Sequence, residues 1–353
     1  MSLEELRKKI DALDEKIVRL LNQRAKLSLK IGELKLKDKK GIYAPHREKE
    51  VFKKIRSLNK GPMTNEAFEA IYREVMSSSL SLEKSLKIAY LGPEASFTNL
   101  AAQRKFGSQV EYAACANISE VFQRVESGVC DYGVVPIENS IEGAVTHTFD
   151  LLVDSNLKIC AQIVLEISHN LLSKVELSKI KKVYSNPQVF GQCRNWLQMN
   201  LPNADLIDVS STTRAAQIAG EEKNAACIAS LLAAKVYGLR ILRKDIQDST
   251  QNITRFLVIC GNDVPPTGHD RTSIVFSIKD KVGALHAMLS PFYANKINLT
   301  KIESRPSKKR AWDYYFFVDF EGHRQDPRAR KALTQLEDMC KYMKVLGSYP
   351  SLE

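Results

Sequence analysis

Seven cysteines are spread over the 353 residues, at 115, 130, 160, 193, 227, 260 and 340, and no two form a C-x-x-C pair. Odd in number and widely scattered, they lack the arrangement of a disulfide framework or a zinc site, and are read as reduced thiols. No run of about 18 apolar residues occurs, which excludes a membrane-spanning helix. The opening MSLEELRKKI carries acids and bases where a secretory signal would have its apolar stretch. A cytoplasmic location is therefore expected. Low-complexity tracts are missing too, and with 44% hydrophobic and 26% charged residues the composition is that of an ordinary globular protein of two or three domains. Acids are scarce in one place: the first 60 residues hold 18 Lys and Arg against 9 Asp and Glu, so nine of the net eleven positive charges lie there. Such a surplus suits nucleic acid, a membrane surface or a small anion, and charge alone does not choose.

What is present is a pattern that changes period twice. Leu3, Leu6, Ile10, Leu13, Ile17 and Leu20, then Leu27, Ile31 and Leu34, recur in 3-4 alternation, which predicts one long amphipathic helix. A break at Asp38-Lys39-Lys40-Gly41 precedes Pro45, which suits the first turn of a second helix running to about Leu58. Thr64 is placed to cap a third, carrying Phe68, Ile71, Val75 and Leu82. Residues 1–84 are thus expected to form an all-helical module. From Lys87 short apolar runs such as KIAYLG, YGVVPI, KKVYS and AACIAS alternate with helix-length segments, which predicts an α/β domain over 86–262. The turn-rich Asn262-Asp263-Val264-Pro265-Pro266-Thr267-Gly268 reads as a linker. Beyond it TSIVFSI, GALHAMLSPFYANK, NLTKIESRP, WDYYFFVDF and PRARKALTQLEDMCKYM, with a short final strand, give the βαββαβ order of a ferredoxin-like module over 272–349.

The 3-4 alternation calls for an apolar residue at position 24, and Arg24 stands there. A cation inside an apolar seam needs a negative partner, and the acids of its own heptads lie off the seam, so a bound anion is one solution. Arg7 and Lys35 flank the seam in one heptad phase. At 1.5 Å per residue Arg24 lies ~25 Å from Arg7 and ~17 Å from Lys35, too far for one small ligand to meet all three on a straight helix. A second chain is expected to supply one of them.

Glu5-Leu6-Arg7, Ile10-Asp11, Leu13-Asp14, Arg24, Gly32, Lys35, Arg47-Glu48 and the Ser79 and Glu83 pair resemble the all-helical chorismate mutases over about residues 3–84. The resemblance implies an intertwined homodimer in which the first arginine reaches into the partner's site. It implies that Arg7, Arg24 and Arg47 take the substrate carboxylates, that Lys35 donates to the ether oxygen, and that Glu48 and Ser79 hold the hydroxyl and carboxylate ends. Chorismate to prephenate is an intramolecular rearrangement, so positioning and charge stabilisation suffice and neither cofactor nor metal is expected. Glu83 stands where some members have glutamine, and it must be protonated to donate to the ether oxygen. Ala44 is a second departure, some relatives having an acid there.

Four motifs resemble prephenate dehydratase: Gly92-Pro93-Glu94-Ala95-Ser96-Phe97-Thr98, Val135-Pro136-Ile137-Glu138-Asn139-Ser140 with Gly143, Ser210-Ser211-Thr212-Thr213 with Ala216, and Thr254-Arg255-Phe256. The resemblance implies two α/β lobes, similar to periplasmic-type binding domains, with a cleft between them. There Thr254 would hydrogen-bond the leaving hydroxyl as the acid or merely position it, Arg255 would be a carboxylate partner or a structural ion pair, and Phe256 would shape the pocket. Asn139, Ser140, Ser211 and Thr212 are the further substrate contacts, or equally caps and turn residues. Ser96 replaces the usual threonine and keeps the hydroxyl, while Asn186 precedes Pro187 where the family has histidine. The C-terminal module resembles an ACT domain through Gly283-Ala284-Leu285 and Glu303-Ser304-Arg305-Pro306. Those motifs imply a regulatory phenylalanine site, and feedback inhibition of phenylalanine synthesis.

Two other classes compete with an enzyme. One is an amino-acid-binding regulator without turnover; the other is a basic coiled coil on nucleic acid, for which a cation inside the seam is poorly placed. Neither a nucleic-acid nor a membrane partner is expected.

Overall fold

The computed structural model describes residues 1–37, 43–249, 251–278, 282–307 and 314–351. The expected break at Asp38-Lys39-Lys40-Gly41 and the Trp312-Asp313 start of an expected strand lie outside the described residues. The chain divides into two compact units, Met1–Lys87 with Lys105–Glu111, and Ile88–Arg104 with Tyr112–Glu353.

The first unit is helical. Helix α1 spans Leu3–Lys37, α2 Pro45–Leu58 with proline in its first turn, and α3 Asn65–Glu83. Thr64 caps α3 as its sequence predicts, its side chain accepting from the Ala67 N–H at 3.2 Å. Ala44, by contrast, gives α2 no side-chain cap. The face that α1 turns to α3 is not its apolar seam. Ser28 and Gly32 are buried with Arg24 and Lys35 half-buried, a stripe of small and polar residues, while Leu13, Leu20 and Leu27 remain 56%, 59% and 61% exposed.

The second unit begins with strands β1 (Lys87–Leu91), β2 (Glu111–Cys115), β3 (Tyr132–Asn139), the short β4 (Gly143–Ala144) and β5 (Lys158–Glu166). Between them run helices α4 (Phe97–Phe106), α5 (Ile118–Glu126) and α6 (Thr146–Asp154). The chain then crosses to a second sheet made of β6 (Asn170–Ser173), β7 (Lys182–Ser185), β8 (Asp205–Asp208), β9 (Ala225–Ala229) and β10 (Arg240–Arg243). Helices α7 (Pro187–Gln192), α8 (Arg194–Asn200), α9 (Thr212–Glu221) and α10 (Leu231–Val236) accompany it. A second crossover returns the chain to the first sheet as β11 (Ile253–Cys260), giving the order β2-β1-β3-β11-β5, with β10-β6-β9-β7-β8 in the other lobe. β11 lies antiparallel between β3 and β5, pairing Thr254 with Asn139 and Arg255 with Glu138.

The C-terminal strands β12 (Asp270–Ser277), β13 (Leu299–Pro306), β14 (Tyr314–Glu321) and β15 (Tyr342–Pro350) form an antiparallel sheet in the order β13-β14-β12-β15, with helices α11 (Ala284–Ala294) and α12 (Pro327–Met339). Alternation along the strands sends Ile274, Phe276, Val318 and Phe320 toward these helices. Val275, Phe317, Leu346 and Tyr349 go the other way, into one core with Ile137, Phe149, Ile159 and Leu257 of the first lobe. Despite the turn-rich linker, the regulatory-type sheet is thus fused to the dehydratase-like one. Gly347 makes the approach possible, since a Cβ there would lie 2.2 Å from the Ile159 carbonyl oxygen. Lys344 Nζ completes the junction, donating to the carbonyls of Leu152 and Val153, both at 2.9 Å, and of Ser155 at the end of α6.

Candidate active sites and regulatory site

On α1, Arg24, Ser28, Gly32 and Lys35 follow one another at helical spacing, so they share the face toward α3. Arg24 Nη1 donates to Ser79 Oγ at 2.6 Å, and that hydroxyl donates in turn to the Val75 carbonyl at 2.8 Å. Arg24 is bound to no carboxylate among the described residues. Lys35 Nζ meets Glu83 Oε2 at 2.9 Å, with the Glu83 side chain only 7% exposed. Gly32 is required here, since a Cβ would lie 2.9 Å from both Cβ and Cγ of Glu83. Two cations, a hydroxyl and a carboxyl thus converge between α1 and α3. Arg47 and Glu48 point elsewhere. Arg47 pairs with Glu50 at 2.7 Å with its side chain 67% exposed, and Glu48 accepts from Tyr43 Oη at 2.7 Å and Lys105 Nζ at 3.0 Å. Arg7 is exposed on α1, toward its other end.

In the second unit, Thr254 and Asn139 are cross-strand neighbours at the mouth of the first sheet. Asn139 Oδ1 accepts from the backbone N–H groups of Ile141 and Glu142 at 2.9 and 3.0 Å. Its amide nitrogen is thereby turned toward Asn252 Oδ1 and Thr254 Oγ1, each at 2.8 Å. With its oxygen accepting from Asn139, the Thr254 hydroxyl keeps its own proton to give, and no acceptor for it lies among the described residues.

A ring of polar side chains closes around this pair. Asn252 Nδ2 donates to Gln192 Oε1 at 2.9 Å, and Gln192 Nε2 donates to Glu142 Oε1 at 3.3 Å. Gln192 belongs to α7 of the second lobe, so the ring ties the two lobes across the cleft. His169, in the first crossover, bonds the same Gln192 oxygen through Nε2 at 2.7 Å, while its buried Nδ1 has no protein partner among the described residues. Burial holds the His169 imidazole below its ordinary pKa, against the opposing pull of the Gln192 bond.

The other expected contacts fall in different places. The Ser140 hydroxyl is engaged by backbone, donating to the Gln251 carbonyl at 2.7 Å and accepting from the Ile253 N–H at 2.9 Å. Ser211 caps α9 through the Arg214 N–H at 3.1 Å, with Thr212 half-buried beside it. Asn186, where the family pattern has histidine, caps α7 through the Gln188 N–H at 3.0 Å. Ser96 donates to the Leu91 carbonyl at 3.0 Å and accepts from the Asn99 N–H at 3.2 Å. Phe256 is 1% exposed, inside the sheet. The Arg255 guanidinium is buried against Glu138 at 3.0 Å and Asp319 at 2.7 Å, in the geometry of an ion pair. Asn252, Gln192 and His169 were not singled out from the sequence. Asn252 lies two residues before Thr254, on the same side of the strand by period two, and could have been found; Gln192 and His169 carry no local signal.

In the C-terminal module Gly283 precedes α11 with φ 74°, a left-handed conformation that favours glycine, and among the described residues nothing lies within 4 Å of where its Cβ would be. Ala284 is buried and Leu285 37% exposed at the start of that helix. On the edge strand β13, Glu303 and Arg305 are half-buried and alternate with exposed Ser304 and Pro306. Arg305 Nε approaches Asp150 of α6 at 3.7 Å.

Three families match in chain order: chorismate mutase type II over residues 6–84, prephenate dehydratase over 88–264 and the ACT domain over 272–338. A bifunctional chorismate mutase/prephenate dehydratase of Aquifex aeolicus is 52% identical over 353 residues, covering 99% of this chain and 98% of that one. Its counterpart in Pseudomonas aeruginosa is 44% identical over 355 residues, covering 99% and 97%. Among solved structures, prephenate dehydratase in complex with L-Phe from Arthrobacter aurescens is 34% identical with a TM-score of 0.70, covering 75% of this chain and 90% of that one. With a relative above half identity along its whole length and all three modules in the same order, this chain belongs to the bifunctional chorismate mutase/prephenate dehydratases.

Proposed function

We propose that the two activities of this family are carried here by two small groups of residues. Arg24, Lys35, Ser79 and Glu83, with Arg7 from a second copy, turn chorismate into prephenate; Thr254 and Asn139 turn prephenate into phenylpyruvate. In the first reaction the ether C–O bond breaks as the new C–C bond forms within one molecule. The cations hold both carboxylates and meet the charge growing on the ether oxygen, with Lys35 or a protonated Glu83 as donor. To serve as the remaining carboxylate ligand, Arg47 leaves its exposed, weak pair with Glu50, and Glu48 exchanges Tyr43 and Lys105 for the substrate hydroxyl.

In the second reaction the carboxylate C–C bond breaks, carbon dioxide leaves, and its electron pair enters the ring while hydroxide departs. The ring becomes aromatic, which supplies the driving force. What remains for the protein is to donate a hydrogen bond to the departing oxygen. The observation that carries this assignment is the Asn139 amide, which donates to Thr254 Oγ1 at 2.8 Å and leaves the threonine proton directed elsewhere. Ser140, Ser211 and Thr212 shape the cleft, by fixing the crossover and capping α9.

L-Phenylalanine is the feedback inhibitor, bound at Gly283-Ala284-Leu285 and Glu303-Ser304-Arg305-Pro306. The ACT match and the phenylalanine complex of the Arthrobacter relative support this. The chain works as a homodimer or higher oligomer, which the exposed apolar seam of α1 supports. We place it in the cytoplasm on its seven scattered cysteines, six of them buried and none in a disulfide among the described residues. Feeding chorismate to the purified chain and following prephenate and phenylpyruvate separately, with and without phenylalanine, tests all of this. Sequential appearance of both products, the second suppressed by phenylalanine, is expected. Binding of phenylalanine without consumption of chorismate would instead establish a regulator without turnover.

A further inference from the structure

Successive residues of a strand face opposite ways, so each of the two dehydratase motifs presents one residue to the cleft and its neighbour to the opposite side of the sheet. In β3 these are Asn139 and Glu138; in β11 they are Thr254 and Arg255, paired across the strands in the same register. The cleft-side pair is the proposed catalytic pair. The opposite pair is bonded to the C-terminal module.

Arg255 uses its whole guanidinium there. Nη1 reaches Glu138 Oε1 at 3.0 Å and Asp319 Oδ2 of β14 at 2.7 Å; Nη2 reaches Tyr349 Oη of β15 at 2.8 Å; Nε reaches Gln162 Oε1 at 3.0 Å. Asp319 is fixed in turn by Ser273 Oγ at 2.5 Å, which also meets Tyr349 Oη at 2.7 Å. The second Glu138 oxygen is taken by Lys301 Nζ of β13, which also lies 5.5 Å above the Phe149 ring. Two cations and two anions therefore balance, one of each from either module, and two of the three ion pairs run between modules. A small cavity lined in part by Arg255, Ser273, Lys301 and Asp319 lies within this junction.

Burial alone would push the Glu138 carboxyl up, yet Lys301 and then Arg255 outweigh it and hold it below the ordinary range. Burial likewise pushes the Tyr349 hydroxyl up to about 12, so it is a neutral donor. Loss of Lys301 leaves Glu138 with Arg255 alone, and loss of Asp319 leaves Arg255 with Glu138 alone, so either change unbalances the set and lets the surviving pair shift.

We propose that Asp319, Tyr349 and Lys301 of the C-terminal module are positioning residues for the dehydratase reaction. They hold Arg255 and Glu138, and thereby set the strand positions of Thr254 and Asn139. Lys301 has a second part. It lies two residues before Glu303 on the same face of an edge strand, and both are half-buried. A ligand that moves Glu303 moves Lys301 with it, and Lys301 is bonded to the neighbour of Asn139. This is the route by which an effector at the Glu303–Pro306 motif reaches the reacting pair. The inference rests on the dehydratase and effector assignments above.

Its test uses the full chain, with the denaturant unfolding of the second unit as the control for folding. Asp319→Asn is expected to lower dehydratase kcat about tenfold or more with KM within about threefold, the signature of misplaced catalytic groups rather than lost binding. Tyr349→Phe, which removes one oxygen and spares the fold, is expected to lower kcat by a smaller factor in the same way. Lys301→Met is expected to keep phenylalanine binding by calorimetry within about threefold while inhibition is lost, and Lys301→Arg to restore inhibition. Unchanged kcat in Tyr349→Phe and Asp319→Asn overturns the positioning role. Unchanged inhibition in Lys301→Met overturns the route. A wild-type chain that binds no phenylalanine overturns the effector assignment and the route with it, while the kcat measurements still decide the positioning role.

Discussion

At Thr254 the direction of a single proton is settled by the residues around it. Two backbone N–H groups fix Asn139, Asn139 donates to Thr254, and Asn252 and Gln192 extend the chain to His169. His169 is a titratable member of that network, together with the Glu142 carboxyl, and its pH dependence follows from its burial. Its folded pKa lies below the ordinary 6.5, so the folded state prefers the neutral ring. That preference stabilises the fold fully above about pH 6.5 and is lost as pH falls from there through the lowered folded value. Thermal unfolding of wild type and His169→Gln, followed between pH 7.5 and pH 5, should therefore show wild type losing more stability on acidification than the variant. Parallel curves for the two would sink this account. The threonine and the first asparagine were legible in the sequence through their motifs, and Arg24 through its disruption of an apolar repeat. The supporting glutamine and histidine were not, because side chains brought together by two crossovers leave no periodic trace in either segment.

Among elements, the strands of the second unit carry the division of labour. One residue step along β3 or β11 exchanges the cleft for the junction with the C-terminal module, so Thr254 and Arg255 face different surfaces while adjacent. The sequence pattern reported the βαββαβ order, since alternation and turn residues act locally, but the last strand, expected to be short, runs nine residues over Tyr342–Pro350 and takes up the Tyr342-Met343 end of the expected helix, which stops at Met339. It showed a linker but not the fusion of the two sheets: Val275, Phe317, Leu346 and Tyr349 alternate as any half-buried strand does, and nothing in them names the surface they cover. Gly347 was the available signal, a glycine within a strand that marks a close backbone approach. Replacing it with alanine puts a methyl 2.2 Å from the Ile159 oxygen and 2.7 Å from its nitrogen, and neither backbone atom can rotate away. Gly347→Ala should lower the denaturant-measured stability of the second unit by roughly 3 kcal/mol or more, the upper part of the range for overpacked cores, with mutase turnover kept. A change under about 0.5 kcal/mol would mean that β15 does not rest on β5 as described.

For the whole molecule the question is what covers the seam of α1. Leu13, Ile17, Leu20 and Leu27 are more than half exposed along a helix of 35 residues, an apolar stripe of the kind that packs against a partner. The polar face of that helix is already taken by α3, and Arg7 lies ~25 Å from Arg24 along the axis. Two copies packed seam to seam would bring the start of one α1 to the middle of the other, and each site would then be built from both chains. This arrangement has a numerical consequence. Arg7→Ala and Arg24→Ala should each abolish most mutase turnover alone, since every site then lacks one cation. In a mixed dimer of the two variants, one site receives both defects and the other receives none. Random reassembly of equal amounts makes half of the dimers mixed, so co-refolded protein should recover about a quarter of wild-type mutase turnover. Far-UV circular dichroism of each refolded variant, and the elution volume of the mixture, report that both have folded and paired. If Arg7 served the site of its own chain, every site in the mixture would still carry one defect, and mixing would recover nothing.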